Sequence, residues 1–172
     1  MTINQTLQKD ALPALIELYI IDLTPCGVSQ VFYFTPNTQN GGSLSFDGQV
    51  YDPFPIQGSG WEISNDGAPP QPTLVVSNIT QILQSYLTNY QDLVGAKVTR
   101  TLTFENYLDG GVDEDGSQVF GQQNFEIAQM SSQTKEQVSF KLQSVLDLPN
   151  RMIPKQQVLR KTFPGAGLFR KS

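Results

Sequence analysis

The chain has 172 residues, of which 38% are hydrophobic and 16% charged, and it contains no histidine. This composition is too apolar for a highly charged disordered chain, and the length suits one domain with its own hydrophobic core. No run reaches the roughly 18 apolar residues of a membrane helix, and the N-terminus lacks the pattern of a secretory signal. We therefore expect a protein made in the cytosol, with no membrane span.

The chain is poor in groups suited to catalysis. Cys26 is its one cysteine, which excludes an internal disulfide and, with no histidine, leaves no ligand set for zinc or an iron-sulfur cluster. The lack of histidine also excludes nucleophilic catalysis of the Ser-His-Asp or Cys-His type. The sequence predicts a protein without enzymatic activity, metal or cofactor.

Charge is distributed unevenly along the chain. Residues 1–150 hold five basic and sixteen acidic side chains, whereas residues 151–172 hold six basic and no acidic ones. We predict a β-rich body over residues 1–150 and a basic, extended C-terminal arm over residues 151–172. Because the arm is not expected to fold alone, it should bind its own body or an acidic surface of a neighbouring subunit, and in a ring the neighbour is favoured.

Strand patterns dominate the first part of the chain. Residues 15–23 and 31–34 are apolar and β-branched, and they predict a first hairpin. Residues 44–46 and 49–51 flank Asp47-Gly48, a pair that favours a type I′ turn and hence a tight second hairpin.

A segment rich in proline and glycine follows at residues 52–61. Its prolines cannot donate to a ladder, so we expect an ordered irregular loop anchored by Phe54 and Trp61. The glycines of Gly58-Ser59-Gly60 are assigned to turn geometry, because a phosphate-binding loop would need a lysine and a following helix.

Residues 73–77 predict a strand that leads into one amphipathic helix around residues 78–94. Apolar side chains recur there at helical spacing, at Ile79, Ile82, Leu83, Tyr86, Leu87 and Tyr90. Ser77 or Asn78 can cap the start of the helix and Gly95 its end.

Alternating segments complete the predicted sheet at residues 97–104, 125–130 and 138–142. Arg100 interrupts the apolar face of the first of them, so it lies at a sheet edge or has a partner. The fold class is mainly β, with about seven or eight antiparallel strands in a closed barrel or a sandwich.

The acidic loop over residues 109–116 is a candidate cation site, since alternating carboxylates ahead of a glycine are used to bind calcium. The spacing fails, because the closing acid of such a loop would fall on Gln122. A solvated hairpin loop is the favoured interpretation. Asp113 and Asp115 could in principle form a catalytic pair, but no pattern places them across a cleft.

Two binding modes remain as alternatives for the aromatic and basic residues. Tyr51, Phe54 and Trp61 could stack on sugars, although a role at the edge of the core or in a subunit contact is favoured. The basic arm could neutralise phosphates, but the acidic body would repel nucleic acid, so an acidic protein surface fits better.

Four strings in this order and spacing carry a resemblance to a known family. They are residues 51–61 (YDPFPIQGSGW), 71–78 (QPTLVVSN), 93–100 (LVGAKVTR) and 107–109 (YLD). Over about residues 12–160 the chain resembles the minor tail protein L family of lambda-like long-tailed bacteriophages.

The resemblance implies a structural protein of the tail tip, without enzymatic activity. It would form a trimeric hub layer between the distal tail tube and the central host-recognition protein, with a tail-tube-like barrel as its closed form, after assembly in the host cytoplasm. Lambda-type members continue into a domain whose four cysteines are taken to hold an iron-sulfur cluster, and these cysteines have no counterpart here, so no cluster is expected.

The residues expected at subunit interfaces combine aromatic anchors with basic side chains. They are Phe54, Trp61, Arg100, Arg151, Lys155, Arg160, Lys161, Phe163 and Arg170. The alternative function is a carbohydrate-binding β module on the tail tip that uses Trp61 and Tyr51, and a weaker one is an enzyme that uses Asp113 and Asp115.

Overall fold

The computed structural model describes residues 2–8, 11–38, 41–62, 69–78 and 84–145, and these form a nine-stranded sheet. The strands are β1 (Leu15–Asp22), β2 (Val31–Thr35), β3 (Leu44–Phe46), β4 (Gln49–Pro53), β5 (Ile56–Ser59), β6 (Thr73–Ser77), β7 (Lys97–Phe104), β8 (Gln122–Gln133) and β9 (Gln137–Ser144). Their order across the sheet is β3-β4-β2-β1-β7-β8-β9-β6-β5. The predicted mainly β class is confirmed, and because β3 and β5 stand at two edges, the sheet is open and sandwich-like.

Both predicted hairpins are present. β1 pairs antiparallel with β2, and β3 pairs antiparallel with β4. The turn between β3 and β4 has φ of 52° at Asp47 and 72° at Gly48, the positive values that a type I′ turn requires at both central residues. A local pattern of two residues therefore sets the register of this hairpin.

The sheet is mixed, which corrects the expectation of a purely antiparallel one. β2 pairs in parallel with β4 through Phe34 with Asp52 and Thr35 with Pro53. The reason is that the β3–β4 hairpin presents its second strand, and not its first, to β2. The backbone N–H of Phe54 then donates to the carbonyl of Thr35 at 2.8 Å and continues the contact.

The prediction of an irregular loop over residues 52–61 is wrong in part. β4 extends to Pro53, and β5 forms an antiparallel ladder with β6. Proline is tolerated here because Pro53 ends β4 and Pro55 precedes β5, and the carbonyl of Pro55 accepts a hydrogen bond from the Ser77 N–H at 2.8 Å.

The predicted helix is shorter at its C-terminal end than residue 94. The described part, α2, covers Gln84–Asn89 and is followed by a 3-10 helix at Gln91–Leu93, whereas residues 79–83 lie outside the described ranges. Asp92 and Leu93 have φ of 58° and 59°, so the backbone leaves the helical conformation before Gly95. Leu87 is buried against the sheet, as the amphipathic pattern predicts.

Two hydrophobic cores are formed around this sheet. The larger one includes Tyr19 and Ile21 of β1, and the smaller one includes Ile16 and Leu18 of the same strand. Because both faces of β1 are covered, nearly all of its side chains are apolar. Each fully buried side chain of this size stabilises the fold by about 1.5–3 kcal/mol relative to exposure.

A short helix, α1 (Ile3–Thr6), covers one end of the smaller core. The hydroxyl groups of Thr6 and Tyr107 share a hydrogen bond of 2.6 Å, and both residues are fully buried. The backbone N–H of Ile3 donates to Gln118 Oε1 at 2.9 Å. The N-terminal residues are thereby tied to the long connection between β7 and β8.

Candidate functional site

Arg100 has a partner, which decides between the two positions considered for it. It lies on β7, an internal strand between β1 and β8, and its Nη2 donates to Glu17 Oε1 at 2.8 Å. Its Nη1 donates to Gln123 Oε1 at 3.0 Å. Glu17, Arg100 and Gln123 thus connect the three adjacent strands β1, β7 and β8. The Arg100 side chain is only 11% exposed and that of Glu17 is 30% exposed, so the ion pair is partly shielded from water.

Trp61 packs on the same guanidinium. The Arg100 Cζ lies 4.7 Å from the centroid of the indole ring, a cation-π contact. The ring also contacts Tyr19, at a centroid distance of 6.2 Å, and Phe125, at 5.4 Å. The indole N–H has no hydrogen-bond partner in the described part of the chain, so the cation-π contact and ring packing hold this side chain.

Tyr19 closes the network from β1. Its hydroxyl donates to Glu17 Oε2 at 2.6 Å. Burial, and then the hydrogen bond and the negative charge of Glu17, raise the pKa of Tyr19 well above its ordinary value. Tyr19 therefore stays protonated across the physiological range, and the cluster of Glu17, Tyr19, Trp61 and Arg100 is a fixed hydrogen-bonded and ionic network.

Phe54 is placed inside the protomer. Its side chain is 8% exposed and stacks on Phe34 at a centroid distance of 4.6 Å. Of the three predicted interface residues that the structure describes, it brings Trp61 and Arg100 into contact and holds Phe54 in the larger core. The remaining six lie outside the described ranges, and they are Arg151, Lys155, Arg160, Lys161, Phe163 and Arg170.

The aromatic residues proposed as sugar platforms are engaged by other side chains. Tyr51 is 5% exposed and meets Tyr33 edge to face at 5.5 Å, in the smaller core. Trp61 is packed against Arg100 and Phe125. Tyr51 therefore presents no open face for stacking on a sugar, and the half-buried ring of Trp61 already holds the Arg100 guanidinium.

The acidic loop is a connection whose carboxylates bind the protein's own donors. Asp109 accepts hydrogen bonds from Ser45 Oγ at 2.5 Å and from the backbone N–H groups of Asp47 and Gly48, both at 3.0 Å. Its own N–H donates to the carbonyl of Ser45 at 3.0 Å. Asp109 thus fastens this loop to the type I′ turn.

Two further carboxylates of the loop are similarly engaged. Glu114 accepts from the Gly110 N–H at 3.0 Å, and Asp115 accepts from the Ser117 N–H, the Ser117 hydroxyl and the Gln118 amide. In the described ranges, no three potential metal ligands come together. The interpretation as a loop held by its own hydrogen bonds fits these contacts better than a cation site.

The ionised form of Asp109 makes the stability of the β3–β4 hairpin dependent on pH. The hydrogen bond from Ser45, with those from Gly48 and Asp47, lowers the pKa of this carboxyl below its ordinary value of 3.8. The stability that it contributes is therefore complete above that value and is lost as the pH falls below it. We expect Asp109→Asn to lower the free energy of unfolding by about 1 kcal/mol at pH 7. Its melting temperature should also fall less than that of the native chain between about pH 4 and pH 2.5.

The control is Asp52→Asn, because this carboxylate accepts one hydrogen bond, from Ser43 Oγ at 3.1 Å. Thermal melts of the three proteins at a series of pH values make the comparison. Equal losses from both substitutions, or an unchanged acid slope for Asp109→Asn, would contradict the anchoring role.

Cys26 is the only cysteine of the chain, so no second thiol could share a metal with it. Cys26 donates to the carbonyl of Val94 at 3.4 Å, and burial together with the charge of Asp22 raises its pKa. An iron-sulfur cluster needs about four thiolates, and these 172 residues contain one cysteine, so their donor set does not fit such a cluster.

Sequence reasoning missed Asp109 and Glu17 as anchoring residues. Glu17 lies 83 positions from Arg100, and Asp109 lies 62 positions from Asp47. The isolated charge on the apolar face of β7 was the one signal that a partner exists. Nothing in the sequence of the acidic loop indicates that it contacts the β3–β4 hairpin.

The described residues form an open, mainly β domain in which charged and aromatic groups fasten strands and loops to one another. Residues 24–171 match the family model described as phage minor tail protein L, so the chain belongs to this family and is a structural component of the phage tail. It is 33% identical over 108 residues to tail tip protein L of Escherichia phage lambda. That alignment covers 63% of this chain and 46% of the relative, so the chain spans about half of the relative's length.

The predicted family is thereby confirmed. Among the described residues, no helix combines the length and the apolar character needed to cross a membrane.

Proposed function

We propose that the chain is a hub subunit of the phage tail tip, which links the distal end of the tail tube to the central host-recognition protein. The observation that carries the proposal is the family match over residues 24–171, together with the similarity to a protein named for the tail tip. We further propose that the subunit forms a trimer, assembles in the host cytoplasm, and acts as a scaffold and not as an enzyme.

The chemistry of the described residues supports a scaffold. The ionic network of Glu17 and Arg100 joins neighbouring strands, and Tyr19, held protonated, is committed to the same network. The carboxylates of Asp109 and Asp115 accept hydrogen bonds from within their own loop and hairpin. Such contacts restrain the strands and loops that they join, which suits a subunit that must hold other proteins in a fixed geometry.

The division of labour between body and arm belongs to the same proposal. Residues 1–150 form the hub body, and residues 151–172 contact an acidic surface of a neighbouring subunit in the assembled tail. Exposed ion pairs contribute only about 0–1 kcal/mol each, so apolar side chains of the arm, such as Ile153, Leu159 and Phe163, must be buried in the contact as well. Charge then sets the register of the contact more than its affinity.

Deletion of all residues after Pro149 tests this division. We expect the truncated chain to remain soluble and to melt cooperatively, because both cores lie within the described residues up to Leu142. Tail assembly should fail or fall at least tenfold, measured as infectious particles after complementation of a phage that lacks the gene. The matched control replaces residues 151–172 with a Gly/Ser segment of equal length.

Normal tails from either altered chain would show that the arm is dispensable. Light scattering of the native chain tests the trimer separately, and a reconstruction of the intact tail tip tests the position of the subunit. A position away from the junction of tube and central protein would overturn the hub role.

A further inference from the structure

A cleft of about 320 Å³ lies beside the smaller core, between the β3–β4 hairpin and the connection from β7 to β8. Its lining includes the apolar and aromatic side chains of Ile20, Tyr33 and Tyr51. The two walls touch at Gly116, where an added Cβ would lie 2.7 Å from Asp47 Oδ1. We call this feature the acidic cleft.

The two segments on either side of the acidic cleft carry charge of one sign, and Asp47 lies in the lining itself. The segments 43–53 and 109–121 contain six carboxylates and no basic side chain, and the carboxylates belong to Asp47, Asp52, Asp109, Asp113, Glu114 and Asp115. Asp109 and Asp115 are bound by neutral N–H, O–H and amide donors, which fix the carboxylates in position without cancelling their charge. The result is a fixed negative field around an apolar floor.

The lining of the acidic cleft combines apolar side chains with a carboxylate. Ile20, Phe46 and Val119 supply the apolar part, and Asp47 supplies the carboxylate. A ligand that carries both basic and apolar side chains would cover these residues and balance the carboxylates. Residues 151–172 have this composition, with six basic side chains, no acidic ones, and apolar residues that include Ile153, Val158 and Leu159.

The described chain ends close to the acidic cleft. Ser144, the last residue of β9, pairs with Phe125 of β8. Gln122, which lines the cleft, lies three residues before Phe125 on β8, about 10 Å from it. Five residues separate Val145 from Arg151, so Arg151 lies within about 20 Å of the end of the described chain.

We propose that, before assembly, the arm of each chain binds in the acidic cleft of its own body. Attachment to the same chain gives the arm an effective concentration of order millimolar, far above that of other copies at micromolar protein. Binding therefore favours the chain's own arm until subunits are brought together. This inference concerns the unassembled chain and does not depend on the hub role proposed above.

Photochemical cross-linking of the full chain tests the proposal. The photoreactive amino acid p-benzoylphenylalanine replaces Gln49, an exposed residue of the cleft lining, or Lys135 at the tip of the β8–β9 hairpin as the control site. Chains of natural isotope composition and ¹⁵N-labelled chains are mixed in equal amounts at about 1 μM, and mass spectrometry identifies the linked peptides.

We expect the Gln49 site to link to peptides within residues 151–172, with both peptides from chains of the same isotope, and the Lys135 site not to do so. Raising NaCl from 0.05 to 0.5 M should lower the yield at least fivefold, because the Debye length falls from about 14 to about 4 Å. Asp113→Lys with Glu114→Lys should reduce the yield similarly.

The matched charge control is Glu62→Lys with Glu136→Lys, two exposed residues that lie outside the segments 43–53 and 109–121. It should leave the yield within twofold of the native chain. Links in which half of the pairs mix isotopes, links only outside residues 151–172, or equal effects of the two double substitutions would overturn the proposal. Circular dichroism confirms that each variant is folded before the yields are compared.

Discussion

Gly58→Val is expected to displace Trp61 and to destabilise the protein by about 3 kcal/mol, the cost of losing a large aromatic side chain from a core edge. A Cβ at Gly58 would lie 2.2 Å from Trp61 Cζ2 and 2.7 Å from Cε2, so the indole ring rests directly on the glycine. The ring cannot stay in place and keep its contacts with Arg100 and Phe125. For a chain of this length, the melting temperature should fall by about 6–12 °C.

Fluorescence reports this change directly, since Trp61 is the only tryptophan of the chain. Its emission should shift to longer wavelength in Gly58→Val at temperatures where the protein is still folded. The control is Ser59→Val, which places the same side chain at an exposed position of the same strand. In a Trp61→Leu background the added cost of Gly58→Val should be much smaller, and an equal cost in both backgrounds would contradict the contact.

The second large effect is expected from Arg100→Met. The substitution keeps an unbranched side chain on β7 but leaves the Glu17 carboxylate, which is only partly exposed, without its counter-charge. It also removes the cation-π contact with Trp61. We expect a loss of about 2–3 kcal/mol, less than for a fully buried pair because water still reaches Glu17.

A double-mutant cycle separates the pair from the packing. Glu17→Gln in the Arg100→Met background should recover about 1 kcal/mol or more, because the isolated charge is removed. Lys97→Met is the control, as this exposed lysine lies on the same strand and any surface ion pair it makes contributes at most about 1 kcal/mol. Additive effects of the two substitutions would show that Glu17 and Arg100 are not coupled.

The parts of the fold that depend on local pattern were predictable from the sequence. Asp47-Gly48 determines its turn through backbone conformation alone, and the alternation of residues 138–142 reports one buried face. The strings at residues 51–61 and 71–78 were sufficient to assign the family.

The remaining features depend on contacts between distant segments, which leave little local trace. β5 was missed because Pro53 and Pro55 before it suggested a loop, whereas its hydrogen-bonded ladder is formed with β6. Asp109 belongs to a loop that the sequence predicts to be solvated, whereas its three hydrogen-bond donors lie on the distant β3–β4 hairpin. Phe54 stacks on Phe34, which the parallel pairing of β2 with β4 brings beside it, and its role in a subunit contact stays a prediction.

The open sheet has edges that offer little to a further strand. At β3, the Ser45 carbonyl already accepts the N–H of Asp109, so this edge is a poor template for another chain. β5 has four residues, and Pro55 just before it has no N–H to donate. Free strand edges lead to uncontrolled aggregation wherever copies of a protein are concentrated. Short and blocked edges protect the protein from that outcome and leave its association to side-chain surfaces, which can be specific for one partner.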